Sequence, residues 1–363
     1  MSDLLYSEEE EALRSAVRDL LSDHCDATAV LARVETAEPH DRELWKALAD
    51  GMGLAGLLVP EELGGQGATH REAAVVLEEL GRAVAPVPYL TSAVVATETL
   101  LACAGEPARE LLGALASGRT VGVLAVPLPH APGDARFVVR EEAGALSGRV
   151  GAVADAAVAD VFLVPTADGL FAVDAAQDGV TVEPAVSLDL TRPLAAVTFD
   201  GARARALAPD AAQAVARGLR AGAGLLASEQ LGIAEWCLTE TVRYVKERHQ
   251  FNRPVGSFQA LKHRLARLWL EVVNTRAAAR NAADALATGS GESGLAAAVA
   301  QAYAAPVAVR AAEEALQLHG GIGMTWEHPV HLLLKRAKAD SIAYGTAGRH
   351  REALADLVDI QAP

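Results

Sequence analysis

Apolar residues at helical spacing mark both ends of the chain, whereas short apolar runs mark its middle. Leu13, Val17 and Leu20 fall on one face of a helix. Ser7, followed three residues later by Glu10, gives that helix a capping-box start. The same periodicity predicts further helices at about 41–51, 71–85, 91–104 and 107–117. Together these patterns predict a helical N-terminal domain over residues 1–117.

The pattern changes at Gly118. From Thr120 to about Pro209, short runs with β-branched residues are separated by clusters of Gly, Pro and Asp. The runs are VGVLAV, RFVVR, VFLVP, GLFAV and AAVTF. Runs this short and this regularly spaced are typical of strands. They predict a middle β domain, either a small barrel or a sandwich, over residues 118–209.

A second helical region follows over residues 210–363. One stripe of apolar residues leads to Arg248 and another begins at Phe258, both at spacings typical of packed helices. A helix predicted at 295–318 contains Pro306, and the last helix, predicted at 328–357, is expected to break near Tyr344. The fold is therefore predicted to be mainly α with a β middle domain.

The first stretch with candidate chemistry is RYVKERHQFNRPVGSFQ, from Arg243 to Gln259. It is predicted to end one helix and to start the next after Pro254. Arg248 and Phe251 stand three apart, a spacing that places them on one face of a last helical turn. A guanidinium beside an aromatic ring suits a planar, phosphorylated ligand. Taken singly, Arg248 has a plainer interpretation as a cation that complements the helix dipole.

The second stretch is ALQLHGGIGMTWEHPVHLL. It ends a helix near Gln317 and continues into Gly320, Gly321 and Gly323. Glycines in such a position let the backbone approach a ligand closely and donate its N–H groups to phosphate or ring oxygens. Taken singly, two glycines after a helix are more often an ordinary C-cap.

Composition excludes several classes of function. The formal net charge of −15 argues against nucleic-acid binding, which needs a basic surface. Three cysteines without C-x-x-C spacing and ten histidines without H-x-x-x-H spacing predict neither a disulfide framework nor a metal site. The acidic N-terminus predicts no signal peptide, and no apolar run long enough for a membrane span is evident. These features lead us to expect a cytoplasmic protein.

Together the two stretches resemble the C-terminal pattern of the acyl-CoA dehydrogenase family. The resembling residues are Arg248, Phe251, Pro254, Phe258, Gln259, Gln317, Gly320, Gly321, Gly323, Glu327 and Pro329. The resemblance implies a C-terminal four-helix bundle, FAD as the cofactor, an acyl-CoA substrate and electron-transfer flavoprotein as the acceptor. It also implies FAD contacts from Arg248, Phe251, Gln259, Gln317, Gly320, Gly321 and Thr346. In the family, the Gln-x-x-Gly-Gly run reaches across a dimer interface to the FAD of the neighbouring subunit.

The catalytic base implied by this resemblance has no counterpart at its usual places. In many members of the family, a Glu before a Gly-Thr pair removes the α-proton of the acyl thioester, whereas here Tyr344 precedes Gly345 and Thr346. A phenol with an unperturbed pKa near 10 is a poor base at neutral pH, so Tyr344 is more plainly interpreted as a space-filling residue. The alternative position used in the family falls near Gly222, and Glu229 is the nearest acidic residue in that helix.

These observations leave three hypotheses open. The chain is the non-catalytic partner of a homologous subunit, similar to those of bacterial steroid side-chain degradation, and completes that subunit's FAD site. Alternatively, it is a self-sufficient homo-oligomeric acyl-CoA dehydrogenase whose base is relocated, either to Tyr344 or to a carboxylate elsewhere in the chain. The third is a flavin-free scaffold or lyase on the same fold. The segment that contacts flavin in the family corresponds here to residues 126–134 and keeps only a proline and the Gly133–Asp134 pair, which favours the first hypothesis.

Overall fold

A computed structural model describes residues 4–359, so the outer ends of the predicted terminal domains, residues 1–3 and 360–363, lie outside it. The α-helices before the sheets are α1 (Glu8–His24), α2 (Ala27–Val34), α3 (Arg42–Lys46), α4 (His70–Ala83), α5 (Thr97–Leu101) and α6 (Glu106–Ala116). The capping box at the start of α1 is confirmed, because Glu10 N donates to Ser7 Oγ at 3.1 Å and Ser7 N donates to Glu10 Oε2 at 2.6 Å.

Two details of this helical region differ from the sequence prediction. The short helix α2 was not predicted, although Asp26 caps it by accepting from Ala29 N at 2.8 Å. The helix predicted at 91–104 begins instead with a wider, π-helical segment, Tyr89–Ala96. There the Thr97 hydroxyl donates to Ser92 O, five residues back, at 3.1 Å.

The strands form two four-stranded sheets. The first sheet has the order β1 (Gly122–Leu124), β4 (Val161–Thr166), β5 (Gly169–Asp174) and β8 (Arg205–Ala208), with β1 and β4 parallel. The second is antiparallel, in the order β2 (Arg140–Glu142), β3 (Ala145–Ala154), β7 (Leu194–Arg203) and β6 (Val180–Pro184). Phe162 and Phe199 meet edge to face at 6.0 Å and join the two sheets. The strand predicted for RFVVR was wrong for residues 136–138, which form no strand.

The second helical region surrounds one long central helix, α7 (Ala211–Glu247). A small hairpin, β9 (His249–Gln250) and β10 (Arg253–Pro254), separates it from α8 (Gln259–Ala287). The chain then continues through α9 (Ser293–His319), α10 (Val330–Asp340) and α11 (Ala347–Leu357), and Pro306 lies inside α9. Helix α7 packs on α4, α8 and α9. The predicted class, mainly α with a β middle domain, is confirmed.

One helix corrects the expectation that no apolar run could span a membrane. The stretch Ser293–Met324 is long and apolar enough to cross one, with a mean hydropathy of 1.3 in its most apolar window. However, 61% of that window is buried inside the protein, where α9 packs against α7 and α8. Its alanine-rich sequence is therefore accounted for by close helix packing in the bundle core.

Candidate functional site

The position of the expected base lies in the turn between α10 and α11, and Tyr344 occupies it. Its backbone has a φ of +53°, which is uncommon for a residue with a side chain. Two hydrogen bonds hold this conformation: Tyr344 N donates to Leu128 O at 2.8 Å, and Tyr344 O contacts His350 Nε2 at 3.1 Å. The side chain is buried, with only 4% of the residue exposed. The hydrogen bond to Leu128 O therefore anchors the turn to the segment that follows β1.

The alternative base position, Gly222 on α7, faces the Tyr344 ring. A Cβ atom at position 222 would lie 3.2 Å from Tyr344 Cε2 and 2.7 Å from Val95 Cγ2. The structure thus brings the two predicted base positions together and fills the space between them with the phenol ring. The cavity that remains beside the ring, bordered by Thr91 and Leu128, has a volume of about 20 Å³. This is room for about one water molecule.

Tyr344 itself is poorly suited to remove a proton. Burial raises the pKa of its phenol, and the nearby guanidinium of Arg192 lowers it by less. The phenol therefore stays protonated at neutral pH. Its backbone amide is also committed to Leu128 O, so this N–H is not free to stabilise charge on a thioester carbonyl.

Glu229, the nearest acidic residue in α7, is held in a buried ion-pair network. Arg192 Nη2 donates to its two carboxylate oxygens at 2.9 and 2.7 Å, and Arg336 Nη1 donates at 2.6 Å. Burial alone would raise the pKa of Glu229, but the two guanidiniums outweigh it and hold the pKa below its usual value. A carboxylate with such partners is a structural anion and a weak base.

Asp340 joins the same network, but its pKa is shifted in the opposite direction to that of Glu229. Arg192 Nη1 donates to its Oδ1 at 2.7 Å, whereas its buried Oδ2 has no hydrogen-bond partner among residues 4–359. Burial raises the pKa of Asp340 well above its usual value, and the negative charge of Glu229 raises it further. Asp189, which pairs with Arg336 at 2.8 Å, completes the network. The raised pKa of Asp340 favours its neutral form, in which two guanidiniums balance the two carboxylates of Glu229 and Asp189.

Six of the seven predicted FAD contacts lie at the far end of the bundle. Arg248 and Phe251 do not share a helical face, contrary to the prediction, because α7 ends at Glu247. Phe251 and Asn252 have φ values of +52° and +60° and form the turn of the β9–β10 hairpin. The guanidinium of Arg248 forms no ion pair or hydrogen bond within the part of the chain that is described, and Phe251 is 86% exposed. Both side chains therefore remain available at the surface.

The glycine run lies beside this hairpin. The His319 ring at the end of α9 stacks on Tyr244 of α7 at 4.5 Å, one turn before Arg248. Gly320 ends α9 with a φ of +63°, and an added Cβ at Gly320 or Gly321 would meet no atom within 4 Å. Gln317 and both glycines are exposed. We call Arg248, Phe251, Gln259, Gln317, Gly320 and Gly321 the hairpin edge.

Thr346 is not part of the hairpin edge. Its hydroxyl caps α11 by accepting from Arg349 N at 3.2 Å. Helix α11 packs against the first half of α9, where Arg351 Nη2 donates to Ala302 O at 3.3 Å. Positions 302 and 317 are about 22 Å apart along α9, at the usual rise of a helix. The seven predicted FAD contacts therefore fall into two separate places on this chain.

Sequence analysis missed two groups of residues, the buried partners of Glu229 and the exposed apolar side chains near the glycine run. The buried partners of Glu229 come from a loop (Arg192) and from α10 (Arg336), and no local pattern links them to α7. The exposed apolar side chains near the glycine run, Ile322 and Met324, are 50% and 73% exposed. The sequence did carry a signal for this exposure, because apolar residues beside a run of glycines often lie at a surface that contacts another molecule.

Within residues 4–359, no group of three or more His, Cys, Asp or Glu residues could hold a metal ion.

Comparisons with known proteins agree on one family. Residues 7–119 match the model of the acyl-CoA dehydrogenase N-terminal domain, and residues 210–358 match that of the acyl-CoA dehydrogenase C-terminal domain. The chain is 38% identical to acyl-CoA dehydrogenase IpdE2 of Mycolicibacterium smegmatis over 340 residues, which cover 93% of this chain and 95% of the relative.

Two solved structures of paired subunits are also similar. The ChsE4–ChsE5 complex of Mycobacterium tuberculosis matches with a TM-score of 0.90 and 28% identity, covering 100% of both chains. A variant of the Tcur3481–Tcur3483 steroid acyl-CoA dehydrogenase matches with a TM-score of 0.86 and 31% identity, covering 97% of this chain and 98% of that one.

Proposed function

We propose that this chain, which belongs to the acyl-CoA dehydrogenase family, is the non-catalytic subunit of a heteromeric, FAD-dependent enzyme. The complex would introduce an α,β double bond into an acyl-CoA thioester. The catalytic base would lie on a homologous partner subunit, electron-transfer flavoprotein would accept the electrons, and the complex would work in the cytoplasm. The similarity to two structures that contain paired subunits supports this assignment.

The proposal rests on the lack of space beside Tyr344 and Gly222, which we call the closed base position. An acyl thioester and a flavin ring must both reach the base, and the cavity beside Tyr344 holds about 20 Å³. The Tyr344–Leu128 hydrogen bond and the packing of the ring on Gly222 close the remaining space. The residues of this chain therefore do not fit a flavin ring at this position. Glu229 cannot replace the base without breaking its bonds to two buried guanidiniums.

The hairpin edge, in contrast, suits the nucleotide part of an FAD that another chain holds. Arg248, which is exposed and has no partner for its guanidinium among residues 4–359, offers that group to a phosphate, and Gly320 and Gly321 offer backbone that an outside group can approach. Phe251 and Gln317 are exposed beside them and would contact the adenosine. When bound, FAD supplies the hydride-accepting chemistry, and this chain would supply charge, hydrogen bonds and position.

Exposed apolar side chains also support a partner at this edge. Phe251, Ile322, Met324 and Trp326 are between 44% and 86% exposed. Large apolar side chains clustered at a surface usually mark an interaction site. A partner subunit that covers them would also shield the nucleotide from water.

The visible absorption spectrum tests the proposal directly. The chain would be purified alone and after co-expression with a homologous dehydrogenase chain that carries Glu at the base position. We expect a colourless chain alone and a flavin band at roughly 450 nm from the complex, since that band belongs to the cofactor. A yellow, active chain on its own would mean a self-sufficient enzyme. A complex that forms without flavin would instead support the scaffold or lyase hypothesis.

Single substitutions then test the roles of the hairpin edge and of Tyr344 separately. Arg248→Ala should lower the FAD content of the complex, whereas Arg243→Ala should not, because Arg243 is already paired with Glu240 and Glu247. Tyr344→Phe should leave turnover of the complex unchanged. Loss of turnover in Tyr344→Phe, with FAD retained, would make Tyr344 a catalytic residue and would contradict the proposal.

A further inference from the structure

A second pocket lies far from the hairpin edge, where the N-terminal helices meet the first sheet. It has a volume of about 300 Å³, at the lower end of the range for small-molecule sites. Its apolar wall is formed by Trp45, Pro88, Val121 and Val158. The indole of Trp45 is fixed, because its Nε1 donates to Gly118 O at 3.0 Å and the residue is only 8% exposed. We call this site the Trp45 pocket.

Three cations surround this wall: Arg42, Lys46 and Arg119. Their side chains form no ion pair or hydrogen bond with any residue between 4 and 359. All three residues are exposed, so their charges are open to an incoming anion. Unpaired cations beside a fixed aromatic wall have capacity to hold an anion.

The acidic residues at the pocket neutralise these cations only in part. Asp41 is engaged by Arg33, with Nε to Oδ2 at 2.9 Å, and its Oδ1 accepts from Leu44 N at 3.0 Å. Asp160 Oδ2 accepts from Val121 N at 2.7 Å. Asp50 is exposed and is the one remaining carboxylate in the lining. With Asp41 balanced by Arg33, the three cations exceed Asp50 and Asp160 by one positive charge.

The pocket also touches a hydrogen-bonded chain that reaches the closed base position. His40, which lines the pocket, has its Nε2 2.8 Å from Asp155 Oδ1. Thr91 Oγ1 donates to Asp155 Oδ2 at 2.7 Å, and Thr91 borders the small cavity beside Tyr344. All three side chains are buried. A molecule in the pocket would thus contact the outer end of a polar path into the core.

We propose that the Trp45 pocket binds a small organic anion, in which a flat apolar body stacks against Trp45 and a carboxylate or phosphate meets Arg42, Lys46 and Arg119. The apolar wall would contact the ring, and the three cations would contact the charged group. None of these three cations belongs to the hairpin edge or borders the cavity beside Tyr344, so the proposal does not rest on the proposed function.

Isothermal titration and tryptophan fluorescence of the full chain test this site with three probes. These are 2-naphthoate, the neutral 2-naphthalenemethanol of similar shape, and AMP. We expect saturable binding of 2-naphthoate or AMP that weakens with added salt, and binding of the alcohol that is weaker by about tenfold or more. Tighter binding of AMP would indicate a nucleotide as the natural ligand, and tighter binding of 2-naphthoate would indicate a ring carboxylate.

The double variant Arg42→Ala, Arg119→Ala should weaken binding of the preferred anion by about tenfold or more. The matched control, Arg149→Ala with Arg310→Ala, removes the same formal charge from two exposed, ion-paired sites and should leave the dissociation constant unchanged. Absence of saturable binding of either anion below about 1 mM would overturn the proposal. Equal affinity of the first double variant and the wild type would overturn it as well.

Discussion

Replacing Glu229 by Gln should destabilise the folded chain by about 3–5 kcal/mol, because the change removes one of two charges that balance buried guanidiniums. Glu229 accepts bonds of 2.6 to 2.9 Å from Arg192 and Arg336. Gln has the same shape, so no cavity forms and the cost is electrostatic. For a chain of 363 residues, a loss of this size corresponds to a decrease of about 4–7 °C in Tm.

Asp340→Asn is the matched control within the same network. It also replaces a buried carboxyl by an amide, but the raised pKa of Asp340 means that a neutral group is exchanged for a neutral group. The amide oxygen can still accept from Arg192 Nη1, so the expected cost is below about 1 kcal/mol.

Thermal unfolding of both variants at pH 7, followed by circular dichroism, measures the difference. Equal losses of stability in Glu229→Gln and Asp340→Asn would mean that Asp340 is ionised, which refutes the charge balance described above. A Glu229→Gln protein as stable as the wild type, but inactive in the complex, would return Glu229 to the list of candidate bases.

Three further predictions concern packing, pH and capping. Gly222→Ala should lower the free energy of unfolding by about 1–3 kcal/mol, measured in urea, because its Cβ would overlap Val95 and crowd the Tyr344 ring. Burial raises the pKa of Glu78 to about 7, so stability should fall as pH rises from the unfolded value near 4.5 to about 7. This pH dependence amounts to at most about 3 kcal/mol in the free energy of unfolding, and Glu78→Gln should abolish it. The same pH dependence in Glu78→Gln and the wild type would contradict the prediction. Thr346→Ala should cost about 1 kcal/mol by uncapping α11, with no loss of FAD from the complex.

Local patterns were sufficient to predict most helices but not the hairpin after α7. The capping box at Ser7 and the stripe along α7 depend on neighbours within a turn or two, which sequence spacing reports. The hairpin depends on positive φ values at Phe251 and Asn252. Asn252 was a usable signal for that conformation, but the spacing of Arg248 and Phe251 favoured a helical turn instead.

The closed base position could be predicted only in part. The sequence shows that Tyr344 and Gly222 lack carboxylates, but these residues are far apart in the chain and only the fold brings them into contact. The network around Glu229 is likewise assembled from a loop, α7 and α10. Pairing between distant segments leaves no periodicity in the sequence, which is why the partners of Glu229 were not foreseen.

A site shared by two chains can be lost on one of them without loss of function on the other. In a paired assembly of related subunits, each flavin site would use the pocket of one chain and the hairpin edge of its neighbour. This chain has a closed pocket and an open edge. A pair made from this chain and a catalytic homologue should therefore bind one FAD, not two. The ratio of flavin absorbance to protein in the purified complex measures this number. Two flavins per pair would mean that the pocket beside Tyr344 opens on assembly, and the division of roles proposed above would then be wrong.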